Sequence, residues 1–361
     1  MAEKNKNALL DLKKRPGNHV CADCGKHDPD FAAYNIGIFI CKECADIHKF
    51  LGRHISKVKS VKVDEWTDEE VEFMASNGNL IAKRKYERYV APCYKKPGQR
   101  DYPILREQWI RAKYERKEFM DEKQQTYLLG RKEGFLWKRG KDDSRFQSRR
   151  FILDEEENVI KYYVDPSAKE PKAALKLSDI NVTFCPDKIG NPNGMQISYM
   201  KDDVTRNLFV YSDDGQDIVD WFNAIRSAKF NRMKIENPGA NKADLVDHLN
   251  TDYTKEGFLY KSGPRGKEAY KKRWFSLESK KLKYYSDPLD PHPKGEIYLG
   301  NKKDGYTTRE GLPAGIHTHN GGFSFTLATP GRDYYLSAET EESRVDWMDI
   351  LNKTVDPTLK N

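Results

Sequence analysis

Long apolar runs are missing from this 361-residue chain: the purely apolar stretches reach only a handful of residues, as at 38–41, far below the ~18 a membrane-spanning helix needs. No transmembrane segment is therefore expected. The first residues, MAEKNKNALLDLKKRPG, mix both charges and lack the apolar centre of a secretory signal, so the chain is expected to stay inside the cell. Cysteine is sparse, six in all, and in that compartment disulfides are not expected. Charge of one sign is also scarce: 63 Lys and Arg face 56 Asp and Glu, a net +7. Nucleic-acid binding is not expected, because no basic helix with base-reading side chains stands out. Aromatic residues, by contrast, are plentiful. A charged fraction of 33% would suit disorder, but 20 Tyr, 16 Phe and 6 Trp along the whole length indicate folded domains, two or three at this size.

The small excess of positive charge is concentrated. Residues 131–150 hold eight basic and three acidic residues, and residues 255–274 hold seven and two. Such focused clusters suit a compact anionic ligand better than a long polyanion, although charge runs also occur as plain solvated hairpins. Both clusters lie in a repeat. EGFLWKRG at 133–140 returns as EGFLYKSG at 256–263, RRFIL at 149–153 as RWFSL at 273–277, and KYYVDP at 161–166 as KYYSDP at 283–288. Asp220-Trp221 returns as Asp346-Trp347, and the offsets drift only between 122 and 126. A period so long excludes a solenoid and means two copies of one domain.

Within each copy, short alternating strands precede one amphipathic helix. Ile218, Trp221, Phe222 and Ile225 stand at i, i+3, i+4 and i+7, and Trp347, Ile350 and Leu351 close the second copy likewise. These aromatic stripes are expected in the core of a small antiparallel barrel plugged by its carboxy-terminal helix. The pattern resembles the pleckstrin homology (PH) domain over residues 129–230 and 253–356. That resemblance implies phosphoinositide contacts at Lys138, Arg149, Tyr162 and Lys172 in the first copy, where Gln147 departs from the usual basic residue. In the second it implies Lys261, Lys271, Arg273, Tyr284 and Lys294. The chemistry is suitable: Arg offers a planar fork to phosphate oxygens, Lys a mobile point charge and Tyr a hydroxyl donor.

Cys21, Cys24, Cys41 and Cys44 form C-x2-C-x16-C-x2-C, two knuckles at zinc-ribbon spacing. Four thiolates predict one closed, structural Zn²⁺ site; redox pairs or an iron–sulfur centre have no other support. Cys93 and Cys185 read as ordinary thiols, and none of His19, His27, His48 and His54 is needed as a ligand. Around the knuckles, an Ile-His pair, the segment LGRHIS and a run ending in Asp-Glu-Trp complete a resemblance to the Arf GTPase-activating (Arf GAP) domain over residues 1–125. Residues 105–120 read as a helix with Leu105, Trp109 and Ala112 on its buried face and a Glu107–Arg111 pair. With two PH-like copies following, the chain resembles the alpha-centaurins, Arf GAPs with dual PH domains.

One departure from that family concerns chemistry. The family's catalytic arginine directly follows the Ile-His pair, and here Lys49 stands in its place. An arginine finger contributes about 10³–10⁵ in rate in GTPases, and Lys lacks its planar fork. Arg53, one helical turn on if the helix continues through Gly52, is the alternative donor. The family's spacer Trp is Phe31 here. The expectation is a multidomain α+β protein: a four-cysteine zinc-ribbon domain with helices, then two PH-type barrels each capped by a helix. The resemblance implies a cytoplasmic protein recruited peripherally to the phosphoinositide-bearing plasma membrane, with a nuclear pool left open. There it would either stimulate GTP hydrolysis by an Arf-family small GTPase or serve as an adaptor that binds without stimulating.

Overall fold

The computed structural model describes residues 2–359 apart from positions 142, 166 and 267. They form two compact units: Met1–Trp137, Ser148–Ser178 and Tyr211–Leu249 in one, and Lys138–Gln147, Asp179–Val210 and Asn250–Asn361 in the other.

The amino-terminal part comprises α1 (Ala2–Lys13), β1 (Phe31–Ala33), β2 (Ile38–Ile40), α2 (Lys42–Phe50), β3 (Val58–Ser60), α3 (Asp68–Ser76), α4 (Asn79–Tyr86) and α5 (Pro103–Ile110). The strands make a three-stranded antiparallel sheet in the order β2-β1-β3, with Phe31 opposite Ile40 and Ser60. Leu9, Leu12, Ala32, Phe39, Val61, Trp66 and Met74 pack as its core. Thr67 and Glu70 start α3 with a reciprocal capping box, and Pro103 opens α5, where a missing N–H costs nothing. The expected helix over 105–120 is only partly realised. Its α-helical portion ends at Ile110, and Arg111–Glu115 continues as a π-helical turn. Leu105, Trp109 and Ala112 are buried and Arg111 Nε donates to Glu107 at 2.9 Å, as the spacing implies.

The first repeat copy holds β4 (Arg131–Arg139), β5 (Phe146–Asp154), β6 (Val159–Tyr163), β7 (Ala173–Lys176), β8 (Ile180–Phe184), α6 (Pro186–Ile189), β9 (Gly194–Lys201), β10 (Val204–Tyr211) and α7 (Gly215–Glu236). After α8 (Lys242–Asp247), the second holds β11 (Lys255–Lys261), β12 (Lys271–Glu278), β13 (Lys281–Tyr285), β14 (Gly295–Tyr298), β15 (Thr307–Glu310), β16 (Phe323–Ala328), β17 (Asp333–Ala338) and α9 (Glu341–Val355). The two seven-stranded sheets have the same order, β7-β6-β5-β4-β10-β9-β8 and β14-β13-β12-β11-β17-β16-β15, which is the internal repeat expressed as topology. Ile218, Trp221, Phe222 and Ile225 are buried on α7 as expected. On α9 the buried line is Trp347, Leu351 and Val355, while Ile350 is only partly covered.

In β4 the inward residue is Leu136, and Phe135 is exposed, because the strand's phase is set by the core and not by aromatic content. Trp137 instead stacks on Tyr211 and donates to Asp213 at 2.8 Å. Helix α7 runs on to Glu236, and Phe230 packs with Cys93, Leu245 and Leu249. Arg226 Nε donates to the Cys93 carbonyl at 2.7 Å in the same place. No helix among the described residues is long and apolar enough to cross a membrane.

Candidate functional site

Cys21 and Cys24 sit in the turn closed by an isolated antiparallel bridge between Val20 and His27. Gly25, at φ +73, lets that turn fold back, its N–H donating to the Cys21 carbonyl at 3.0 Å. Cys41 is the N-cap of α2 and Cys44 lies in its first turn, where the positive end of the helix favours thiolates. The four sulfurs lie within 4.8 Å of one another, Cys24 and Cys41 at 3.6 Å, and all four residues are buried. Tetrahedral Zn²⁺ with Zn–S bonds of about 2.3 Å requires sulfurs about 3.8 Å apart, so donor set and spacing fit that ion. Among the described residues no other group of three or more such ligands gathers in this way. The knuckle is tied to the sheet by the buried Asn79 side chain, which accepts from Phe39 N–H at 2.7 Å and donates to the Val20 carbonyl at 2.7 Å.

Behind the knuckles lies a buried polar network that the sequence reading did not find. Asp23, inside the first Cys-x2-Cys pair, contacts His48 Nε2 at 3.0 Å and accepts from Lys113 Nζ at 3.0 Å and Tyr114 Oη at 3.1 Å. Lys113 also pairs with Glu87 at 3.0 Å, and His48 Nδ1 meets Ser56 Oγ at 2.8 Å. Burial works against the ionised form of Asp23, but the Lys113 ammonium and the His48 hydrogen bond outweigh it and hold the carboxyl below the usual carboxylate range. The π-helical turn thus clamps the metal-type knuckle to the end of the domain. His48 is a structural partner of Asp23.

Lys49 follows His48 in the last turn of α2, half-exposed. Its ammonium pairs with Asp46 at 2.9 Å and lies 5.4 Å from the centre of the Phe31 ring. Lys49 and Phe31 therefore meet at cation–π distance. Arg53 does not extend that helix. α2 ends at Phe50, Gly52 turns the chain at φ +90, and Arg53 lies exposed beyond it. Phe50, beside Lys49, is 83% exposed.

In the second barrel, register places the cations. Leu259 opposes Arg273 and Lys261 opposes Lys271, and paired residues share a face of the sheet. Leu259, Phe275 and Leu277 fill the core, so Lys261, Lys271 and Arg273 continue that inward face at the open end. Tyr284 opposes Phe275 and completes the same face. A Cβ at Gly295 would collide with the Tyr284 hydroxyl, so glycine there keeps the ring in place, while Lys294 N–H donates to the Tyr284 carbonyl at 2.8 Å. Lys261 Nζ lies 5.1 Å from the Tyr284 ring centre. Burial lowers its affinity for a proton, and Arg332 and Arg273 lower it further. Lys272 faces the other way and pairs with Glu339 at 2.7 Å.

In the first copy, Arg149 Nη1 donates to the carbonyls of Ser148 at 3.0 Å and Val164 at 3.3 Å. Tyr162 opposes Phe151 in register and stacks on it, and Lys172 N–H donates to the Tyr162 carbonyl at 2.8 Å. Lys138 Nζ donates to the Arg139 carbonyl at 3.0 Å. Gln147, the departure in this copy, donates to Asp143 at 3.0 Å.

The fold and these sites define a zinc-ribbon-type domain followed by paired PH barrels. The ArfGap family model, of GTPase-activating proteins for Arf, matches residues 6–123, and the PH domain model matches residues 130–230 and 253–356. The chain is 45% identical over 361 residues to Arf-GAP with dual PH domain-containing protein 2 of Homo sapiens, covering 99% of this chain and 94% of that protein. The Rattus norvegicus protein of the same name is likewise 45% identical, covering 99% and 96%. ADP-ribosylation factor GTPase-activating protein AGD12 of Arabidopsis thaliana is 47% identical over 116 residues, 32% of this chain and 34% of that protein. The chain belongs to the family of Arf GAPs with dual PH domains.

Proposed function

We propose that the protein is a GTPase activator for an Arf-family small GTPase, brought from the cytoplasm to phosphoinositide-bearing plasma membrane by its two PH domains. The GTP and its magnesium belong to the partner. Cys21, Cys24, Cys41 and Cys44 would hold one Zn²⁺; four thiolates leave no open coordination position, so the ion supports the fold and takes no part in the chemistry. In the second barrel Lys261, Lys271, Arg273, Tyr284 and Lys294 would bind a phosphorylated inositol headgroup, and Lys138, Arg149, Tyr162 and Lys172 would do so in the first. Two modest sites on one chain reinforce each other at a membrane through effective concentration.

The observation that carries the catalytic reading is the whole-length match to Arf GAPs combined with a half-exposed cation, Lys49, at the finger position. Lys49 would supply one charge to the transferred phosphoryl group without a guanidinium's geometry, so stimulation would be weak. The second reading, an adaptor that binds the GTPase without stimulating it, is favoured by the engagement of Lys49 with Asp46 and Phe31. Single-turnover GTP hydrolysis by an Arf protein on phosphoinositide vesicles separates the two. A weak activator gives wild type above Lys49→Ala; an adaptor gives wild type equal to Lys49→Ala, with a gain only in Lys49→Arg.

A further inference from the structure

The open end of the second barrel carries a further cation that the motif spacing does not reveal. Arg332 ends the connection between β16 and β17, one residue before Asp333. On β17, Leu336 opposes Lys261 and belongs to the core, and Tyr334 packs against the same core. Alternation therefore puts Arg332, Tyr334 and Leu336 on the inward face, with Arg332 at the rim. Its guanidinium carbon lies 4.3 Å from the centre of the Tyr334 ring, and Lys261 Nζ lies 5.8 Å from that same centre. One aromatic ring thus holds two cations at a shared opening.

The turn that presents Arg332 is tightly held. Thr329 N–H donates to the Arg332 carbonyl at 3.2 Å, Thr329 Oγ1 donates to that carbonyl at 2.6 Å, and Arg332 N–H donates to Thr329 Oγ1 at 3.2 Å. The neighbouring Asp333 is neutralised on the outer face by Arg309 at 2.9 Å. Arg332 itself has no carboxylate within ion-pair distance among the described residues. A guanidinium held over a ring face keeps its N–H donors in its own plane, where they can meet a planar oxygen pair. Glu268 is the one acidic group acting on Lys261 and offsets only part of the repulsion from Arg332 and Arg273; an anion entering between the three cations relieves the rest. The low proton affinity of Lys261, due first to burial and then to Arg332 and Arg273, agrees with this placement.

We infer that Arg332 is a phosphate-binding residue of the second mouth, held over Tyr334 to grip a phosphate of an inositol polyphosphate headgroup together with Lys261 and Arg273. The inference rests on the headgroup reading of that mouth. The first copy carries Arg206 at the matching place, 126 residues earlier, the offset that also relates Asp220 to Asp346.

The test uses the full-length protein in an Arg149→Ala background, so that the second mouth dominates. Calorimetric titration with soluble inositol tetrakisphosphate is run beside cosedimentation with phosphatidylcholine vesicles containing phosphatidylinositol trisphosphate. Arg332→Ala is expected to weaken both about tenfold, as befits a charge-assisted hydrogen bond, with partial recovery in Arg332→Lys. If Arg332→Ala binds like its background while Arg273→Ala loses affinity, the role of Arg332 is overturned and the headgroup reading stands. If neither variant loses affinity, both are overturned. Loss on vesicles alone, with soluble headgroup binding intact, would make Arg332 a bilayer contact and overturn the inference as well.

Discussion

Lys49 and Arg cannot be told apart by net charge, yet they differ in what they can do at a transition state. Here the lysine ammonium already has two partners, Asp46 and the Phe31 ring, and under the proposed role it would have to leave at least the carboxylate to reach a phosphoryl group. The buried residues behind it are less replaceable. Lys113 sits between Asp23 and Glu87 with both ion pairs at 3.0 Å. Removing one member of a buried charge network strands the others. Lys113→Met is therefore expected to lower the unfolding free energy of the zinc-loaded protein by about 3–5 kcal/mol in urea titration; a change under ~1 kcal/mol would mean the network is not structurally important. The cysteines make a second residue-scale prediction. Metal analysis should find one Zn²⁺ per chain, and a strong chelator should render the amino-terminal domain protease-sensitive. Resistance to proteolysis after complete metal removal would exclude a structural ion.

Among secondary-structure elements, legibility followed locality. The four-cysteine spacing and the strand motifs were readable because each is short, and the helix stripe of α7 because Ile218, Trp221, Phe222 and Ile225 recur at helical period. The Asp23 network was not readable, because its members are about 90 residues apart in sequence and each alone resembles a surface residue. Arg332 was hidden for another reason: it lies in a turn, and only the β11–β17 register brings it to the mouth. Helix α7 also carries a carboxyl with a raised pKa, Asp220. Burial, and next the Glu118 carboxylate, push the Asp220 carboxyl on this helix up to about 6; Lys132 and Arg116 oppose this and Asp217 adds to it. An unfolded carboxyl titrates near 3.9, so the native state binds this proton more tightly. The stabilisation is fully present below about pH 4 and is lost as pH rises through 6. Asp220→Asn is expected to stabilise the protein at pH 7.5, by at most ~3 kcal/mol, and to change little at pH 4. Equal effects at both pH values in thermal or urea denaturation would contradict the ionisation.

For the molecule as a whole, a net charge of +7 conceals its organisation. Beside a basic amino-terminal domain, positive charge is focused at the start of each repeat copy, and the cations of β11 and β12 line the open end of the second barrel on its core-facing side. Membrane attachment and GTPase engagement then belong to different domains of one chain, so lipid should control the rate at which a membrane-bound GTPase is met. The most direct measurement is single-turnover GTP hydrolysis by an Arf protein on vesicles with and without phosphatidylinositol trisphosphate, using wild type, Lys49→Arg and Lys49→Ala. The expected result is lipid-dependent stimulation, weak in wild type, weaker still in Lys49→Ala, and higher by roughly 10² or more in Lys49→Arg, within the range an arginine finger contributes. Intrinsic hydrolysis rates for all three proteins, on either vesicle, would contradict the assignment of this chain as an Arf GTPase activator.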